Sequence, residues 1–178
     1  MKKIFAIIII TLIYFFMPAS VFGQTPVSQS SAHYINTKDA VPDKRAVVLK
    51  NFLKKYKSPL EKDAETIVKT ADEQGIPWTW IPAISGVEST FCQAIPYNSY
   101  NCWGWNNGAS SFKDYNEAVT VISSSLKKNY VDRGADTIDK IAPIYAPPSH
   151  TWAYKVNYFI TRLESFEKTD TSVLSISL

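Results

Sequence analysis

Apolar residues recur at intervals of three and four along most of the chain, which is the spacing of one helix face. From Asp43 onward this pattern predicts about six helices, separated by turns rich in proline, glycine and asparagine. The clearest stripes are Leu49, Phe52, Leu53 and Tyr56; Ala64, Ile67, Val68 and Ala71; Ala118, Ile122, Ser125 and Leu126; and Trp152, Val156, Phe159, Ile160 and Leu163. We therefore expect a mainly α-helical fold.

Helix-capping residues precede these stripes: Asp43, Ser58, Thr79, Asp114, Thr137 and Ser149. Glu117 stands three residues after Asp114, as in a capping box. Gly75 is placed to end a helix in the left-handed conformation. Pro143 is expected to end the helix opened by Thr137. One short β-hairpin is predicted between residues 103 and 115, because Asn107-Gly108 is a hairpin turn signal.

The two ends of the chain differ from its middle. Residues 1–23 combine Lys2 and Lys3 with an apolar run, as in an export signal cleaved after Gly23. An uncleaved membrane anchor is the alternative for this segment. Residues 24–41 are polar and predict a disordered linker, and residues 168–178 predict a flexible tail. One domain over residues 42–167 is therefore expected in the cell envelope or outside the cell.

Charge narrows the classes of function. The 178 residues carry a formal net charge of +3, and loss of Lys2 and Lys3 with an export signal leaves +1. That balance does not indicate a nucleic-acid binder. Contact with a membrane is expected only through an uncleaved N-terminal segment. His33 and His150 lack ligand-like spacing to the cysteines, so we expect neither a metal nor a cofactor.

Cys92 and Cys102 are the two cysteines of the chain. An even number at close spacing in an exported protein predicts a disulfide. The bridge would fix the loop that follows the helix carrying Glu88.

Glu88 is the candidate catalytic residue. Ile81, Ile84 and Glu88 are three and four residues apart, so they share one face of a helix. A carboxyl group in line with an apolar stripe is partly withdrawn from water, which should raise its pKa. An acid that keeps its proton near neutral pH can protonate a leaving-group oxygen, as glycosidases require. The competing interpretation is a carboxylate that turns to solvent or pairs with a lysine.

Aromatic and amide residues follow Glu88 closely: Tyr97, Asn98, Tyr100, Asn101, Trp103, Trp105 and Asn106. Aromatic rings stack on the apolar faces of sugars, and amides bind hydroxyl and acetamido groups. The segment therefore indicates a glycan substrate, although some of these rings are expected to pack in the core.

The order of four motifs resembles the bacterial glucosaminidase family of lysozyme-like peptidoglycan hydrolases, which is related to the lytic transglycosylases. They are Gly86-Val87-Glu88-Ser89-Thr90-Phe91, Tyr100-Asn101-Cys102-Trp103-Gly104-Trp105, Phe112-x-x-Tyr115 and Ile144-Tyr145. The resemblance covers roughly residues 42–167. It implies a lysozyme-like fold, with the hairpin beside an active-site cleft, and peptidoglycan glycan strands as the partner.

The resemblance also implies roles for single residues. Glu88 would be the general acid, and Tyr145 would face the same cleft and act with it. The implied substrate-binding residues are Ser89, Tyr100, Asn101, Trp103 and Trp105. Cys102 and Trp103 depart from the family pattern, in which an apolar residue and Phe are usual.

The mechanism is left open by the sequence. A glycosidase with two carboxylates needs a second acid, and Asp114 and Glu117 are the candidates, although both have an ordinary role as helix caps. Without a second acid, the substrate itself would supply the attacking group, either its acetamido group or, in a lytic transglycosylase, the muramic acid 6-hydroxyl. A non-catalytic glycan-binding module and a structural component of an envelope complex are the alternatives from other classes.

Overall fold

The computed structural model describes residues 42–176, with side chains described up to Thr169. Six α-helices lie in this part of the chain: α1 Lys44–Lys55, α2 Ala64–Gln74, α3 Trp80–Ser89, α4 Tyr115–Asn129, α5 Ile138–Tyr145 and α6 Trp152–Ile176. Two 3₁₀ turns, Pro59–Asp63 and Val131–Arg133, precede α2 and follow α4. The mainly α-helical prediction is confirmed. The export signal and linker predicted for residues 1–41 lie outside the described residues.

Most helix starts follow the predicted capping chemistry. The side chain of Asp43 accepts a hydrogen bond from the Arg45 amide at 2.8 Å, and that of Ser58 accepts from Leu60 at 3.2 Å. Gly75 ends α2 at a φ of 65°. Thr79 occupies the N-cap position of α3, but its hydroxyl caps no backbone amide.

Helix α3 lies at the centre of the fold. It packs against α2, α4 and α6, and α6 also packs against α1 and α5. Eight of its ten residues are buried, including Ile81, Ile84 and Gly86. A helix buried on nearly all sides places its last turn among side chains from several elements, so Glu88 is surrounded by residues distant in sequence.

The predicted hairpin is wrong, because no strand forms between residues 103 and 115. This segment instead turns repeatedly: Gly108 donates to the carbonyl of Gly104, and Ala109 donates to that of Asn106. Asn106 and Asn107 have φ values of 55° and 53°. The Asn-Gly signal identified a turn correctly, but the residues on either side of it form turns and irregular segments and not paired strands.

Three predicted helix ends differ from the structure. Pro143 lies inside α5, where its missing N–H leaves only the carbonyl of an exposed residue, Asp139, for water to bind. Ser149 lies in the turn before α6, which begins at Trp152. Helix α6 runs to Ile176, beyond the predicted domain end at Glu167. Among the described helices, none is both long and apolar enough to span a membrane.

Candidate active site

Glu88 lies in the last turn of α3 and is partly buried. Burial raises the pKa of its carboxyl group above the usual value, and a hydrogen bond from Trp152 partly opposes this effect. The indole Nε1–H of Trp152 donates to Oε1 of Glu88 at 2.6 Å. The structure therefore agrees with the raised pKa expected from the sequence.

The Trp152 hydrogen bond favours one oxygen of Glu88 as the site of the proton. An indole nitrogen is only a donor, so Oε1 must accept. A carbonyl oxygen accepts better than a hydroxyl oxygen, so in the acid form the proton is favoured on Oε2. That oxygen faces Gly104, where an added Cβ atom would lie 3.0 Å from it. Gly104 thus keeps the proton-bearing side of Glu88 open.

The predicted disulfide between Cys92 and Cys102 is present in the structure, with the two Cα atoms 4.7 Å apart. It joins the turn after α3 to the segment that carries Gly104. The turn itself is tight, because Thr90, Phe91 and Cys92 have φ values of 52°, 54° and 67°. The bridge and this turn bring the chain back on itself, so that Gly104 lies against the end of α3.

Ser89 was predicted to bind substrate, but it is buried and its hydroxyl is fully used inside the protein. Its Oγ donates towards the carbonyls of Ser85 at 3.2 Å and Cys102 at 2.7 Å, and it accepts from the amide of Cys92 at 3.0 Å. Ser89 therefore holds the disulfide-linked turn in place and is not positioned to contact a glycan.

Asn101 is also buried and braces the loop. Its Nδ2 donates to the carbonyls of Trp105 at 3.0 Å and Ser110 at 2.9 Å, and its Oδ1 accepts from the amide of Trp105 at 2.9 Å. The predicted role in substrate binding is wrong, because both ends of the side-chain amide are occupied by backbone.

Trp103 is completely buried, and its Nε1–H donates to the carbonyl of Ile81 at 2.9 Å. The prediction that its ring lines a glycan subsite is therefore wrong. Its indole ties the loop to α3, while its backbone carbonyl accepts a hydrogen bond from Tyr145. Tyr100, another predicted binding residue, packs edge-on against Tyr115 with ring centroids 5.0 Å apart.

Tyr145 lies at the end of α5, next to Glu88. Its ring stacks on Trp152 with centroids 4.9 Å apart, and its hydroxyl donates to the Trp103 carbonyl at 2.5 Å. Burial and the charge of Glu88 raise the pKa of Tyr145 well above its usual value. Tyr145 thus keeps its proton at physiological pH and cannot serve as a base. Tyr145 thus contacts Trp152 and the loop and lies next to Glu88. The resemblance implied its place beside Glu88 but not its contacts with Trp152 and Trp103.

An open groove of about 440 Å³ lies beside this cluster. Its lining consists of Gly104, Trp105, Asn106, Asn107, Ser110, Tyr130 and Tyr145. Trp105, a predicted binding residue, is half-buried here, with its ring centroid 6.3 Å from that of Tyr145. Aromatic faces and amide groups therefore line a groove that shares Gly104 and Tyr145 with the Glu88 cluster.

The two candidates for a second carboxylate cap helix α4. Asp114 accepts from the amide of Glu117 at 2.8 Å, and Glu117 accepts from the amide of Lys113 at 2.5 Å. Within the described residues, no second acid contributes to the pKa shift of Glu88. The same part of the chain holds no cluster of three or more His, Cys, Asp or Glu side chains that could bind a metal.

The sequence argument missed five residues of the site: Gly104, Asn107, Ser110, Tyr130 and Trp152. Asn107 belongs to the Asn-Gly turn, and this turn could have marked it as part of the groove. Trp152 was placed in the core by the spacing of its stripe, and it is indeed buried. That spacing carries no information about the partner of its indole N–H.

No protein-family model matches the chain, and no curated protein sequence matches it either.

Proposed function

We propose that the protein cleaves the glycan strands of peptidoglycan outside the cytoplasm, with Glu88 as general acid. The observation that carries this proposal is a partly buried carboxyl group of raised pKa, oriented by Trp152, beside a groove lined with aromatic and amide side chains. The export signal expected at residues 1–23 supports the location. We include in the proposal the lysozyme-like fold and the kinship with the bacterial glucosaminidases that the sequence resembles.

In the proposed reaction, Glu88 transfers its proton from Oε2 to the glycosidic oxygen while the bond from that oxygen to C1 of the sugar breaks. Positive charge develops at C1, and the newly formed carboxylate stabilises it. Glu88 then accepts a proton from the attacking water molecule, which restores the acid form. Trp152 holds Oε1 throughout, so the proton leaves from and returns to the same oxygen.

In this proposal a water molecule is the attacking group, and the acetamido group of the substrate assists the reaction. The capping roles of Asp114 and Glu117 support a mechanism with a single acid, since both carboxylates are engaged at the start of α4. Attack by the muramic acid 6-hydroxyl, as in a lytic transglycosylase, uses the same single acid. The two routes leave different ends: a reducing sugar in the first and an anhydro-muramic residue in the second.

The test is to incubate the protein and its Glu88→Gln variant with purified peptidoglycan and to weigh the released fragments by mass spectrometry. Gln keeps the shape and the acceptor for Trp152 but has no acidic proton, so we expect release to fall by a factor of at least about 100. Glu117→Gln is the matched control, because it makes the same chemical change at a capping residue, and it should release fragments at the wild-type rate.

Undiminished turnover of Glu88→Gln would remove Glu88 from the mechanism. If neither protein releases fragments and both still sediment with the wall, the protein is a glycan-binding module and not an enzyme.

A further inference from the structure

The outward face of α6 carries a row of side chains that plays no part in the Glu88 site. Tyr154, Tyr158 and Arg162 are four residues apart, so they are neighbours along one face of the helix. Tyr154 is 75% exposed and Tyr158 is 50% exposed. The opposite face of α6, with Trp152 and Val156, is buried. This row is therefore separate from the side of the helix that holds Glu88.

The row is positively charged. Lys155 precedes Tyr158 by three residues, so the two are neighbours on the helix, and Lys155 and Arg162 are both exposed. Neither cation forms an ion pair within the described residues. Glu164 follows Arg162 by two residues, and side chains at that spacing do not face each other on a helix. The row is thus free of a neighbouring acid on its own helix.

Helix α1 extends this charge across a second groove of about 330 Å³. Lys55 from α1 and Arg162 from α6 line the groove together, with the aromatic rings of Phe52, Tyr56 and Phe166. Lys55 is exposed and forms no ion pair among the described residues. We call the surface formed by Tyr154, Lys155, Tyr158, Arg162 and Lys55 the α6 surface.

We propose that the α6 surface is a second binding site for peptidoglycan strands, which holds the protein on the wall while the Glu88 groove acts on it. The tyrosines offer rings on which sugar faces stack, and the cations match the carboxylates that the strand carries on its peptides. The choice of this polymer rests on the proposed function.

A membrane surface fits the α6 surface less well. Peripheral membrane helices bury a broad face of Leu, Phe or Trp, whereas the exposed aromatic residues here are two tyrosines. Tyrosine presents a hydroxyl beside its ring and so suits a hydrated sugar polymer.

The experiment measures sedimentation with purified peptidoglycan in a Glu88→Gln background, so that binding is read without turnover. Tyr154→Ser/Tyr158→Ser and Lys155→Gln/Arg162→Gln are the test variants. Each should weaken binding at least about fivefold, and only the charge variant should lose part of the salt dependence. Lys44→Gln/Lys128→Gln removes the same charge from exposed positions elsewhere and should bind as the parent does.

A second measurement separates this proposal from the proposed function. With an intact Glu88, the α6 variants should cleave a short soluble glycan fragment at the parental rate but should release less from whole wall. If no variant cleaves anything, the binding comparison still decides the proposal. The proposal is overturned if the α6 variants bind the wall as tightly as the Lys44→Gln/Lys128→Gln control. It is also overturned if they lose binding to phosphatidylglycerol vesicles but not to the wall. Thermal unfolding midpoints equal to that of the parent are required of every variant.

Discussion

Two effects change the pKa of the Glu88 carboxyl group in opposite directions. Burial disfavours its charge and raises its pKa, while the indole N–H of Trp152 stabilises the charged form and lowers it. Burial is the larger effect. The carboxyl group therefore keeps its proton to a higher pH than a free one, while the indole N–H stabilises the carboxylate that proton transfer leaves, as a general acid that later acts as a base requires.

Replacing Trp152 by Phe should move this balance. The variant loses the N–H that lowers the pKa of Glu88, so the pKa rises further. Since the proposed activity needs the protonated acid, it declines as the pH rises through that pKa, and in the variant this decline should shift to higher pH. The maximal rate should fall about tenfold or more, because Oε1 is no longer held.

The measurement is the pH dependence of fragment release, with Trp78→Phe as control, because Trp78 is half-buried in the turn before α3. If fragment release by the Trp152 variant declined at the same pH as in the wild type, the indole would have no effect on the pKa of Glu88.

The sequence predicted Glu88 from its position on an apolar stripe, but it misplaced Ser89, Asn101 and Trp103. All three are polar or aromatic residues near the acid, and all three face inward. Residue type and spacing cannot show whether a hydrogen-bonding side chain meets substrate or backbone. That depends on backbone amides and carbonyls exposed by the tight turns of this loop, which no periodicity encodes.

The loop from Thr90 to Ser110 determines the geometry of the site at the level of elements. It is joined to α3 by the hydroxyl of Ser89 and by the indole of Trp103, and the disulfide ties its first turn to the segment that carries Gly104. The hairpin prediction failed here because Asn101 satisfies the backbone at both ends of the turn, which a strand pair would otherwise have done. A side chain thus replaces the ladder.

Two glycines of this loop allow a matched test. Gly104 and Gly108 both have positive φ, at 61° and 79°, so alanine should lower the stability at each by about 1–2 kcal/mol. Only at Gly104 would the new methyl group meet Glu88, whereas nothing lies within 4 Å at Gly108. We expect similar losses in thermal unfolding midpoint but a loss of glycan cleavage only in Gly104→Ala. If Gly104→Ala and Gly108→Ala cleaved glycan equally well, Gly104 would play no part in the action of Glu88.

For the molecule as a whole, the stripes predicted the six helices because burial of one helix face dominates the fold of a small domain. The stripe of α6 predicted its buried face well, with Val156 and Leu163 at the core. Its start and the course of α5 were predicted less well. Local rules for Pro143 and Ser149 compete there with packing of α5 on α6, and packing prevailed.

The disulfide contributes to the stability of the whole domain. The bridged residues are 10 apart, and closing so short a loop in the unfolded chain stabilises the native state by somewhat under about 3 kcal/mol in the chain-entropy model. The double variant Cys92→Ser/Cys102→Ser should therefore unfold at a lower temperature and lower denaturant concentration. Reductant should destabilise the wild type but not this variant. A midpoint that neither change lowers would mean that packing alone holds the loop.

The bracing by Asn101 has a consequence for how the protein would choose among substrates. Because the side chain of Asn101 donates to the carbonyls of both Trp105 and Ser110, it bridges the two ends of the segment between them and fixes their separation before any ligand binds. That segment is one wall of the groove. If the proposed function holds, a strand with substituents wider than this span would bind weakly. A strand that fits would bind with little loss of conformational freedom in the loop.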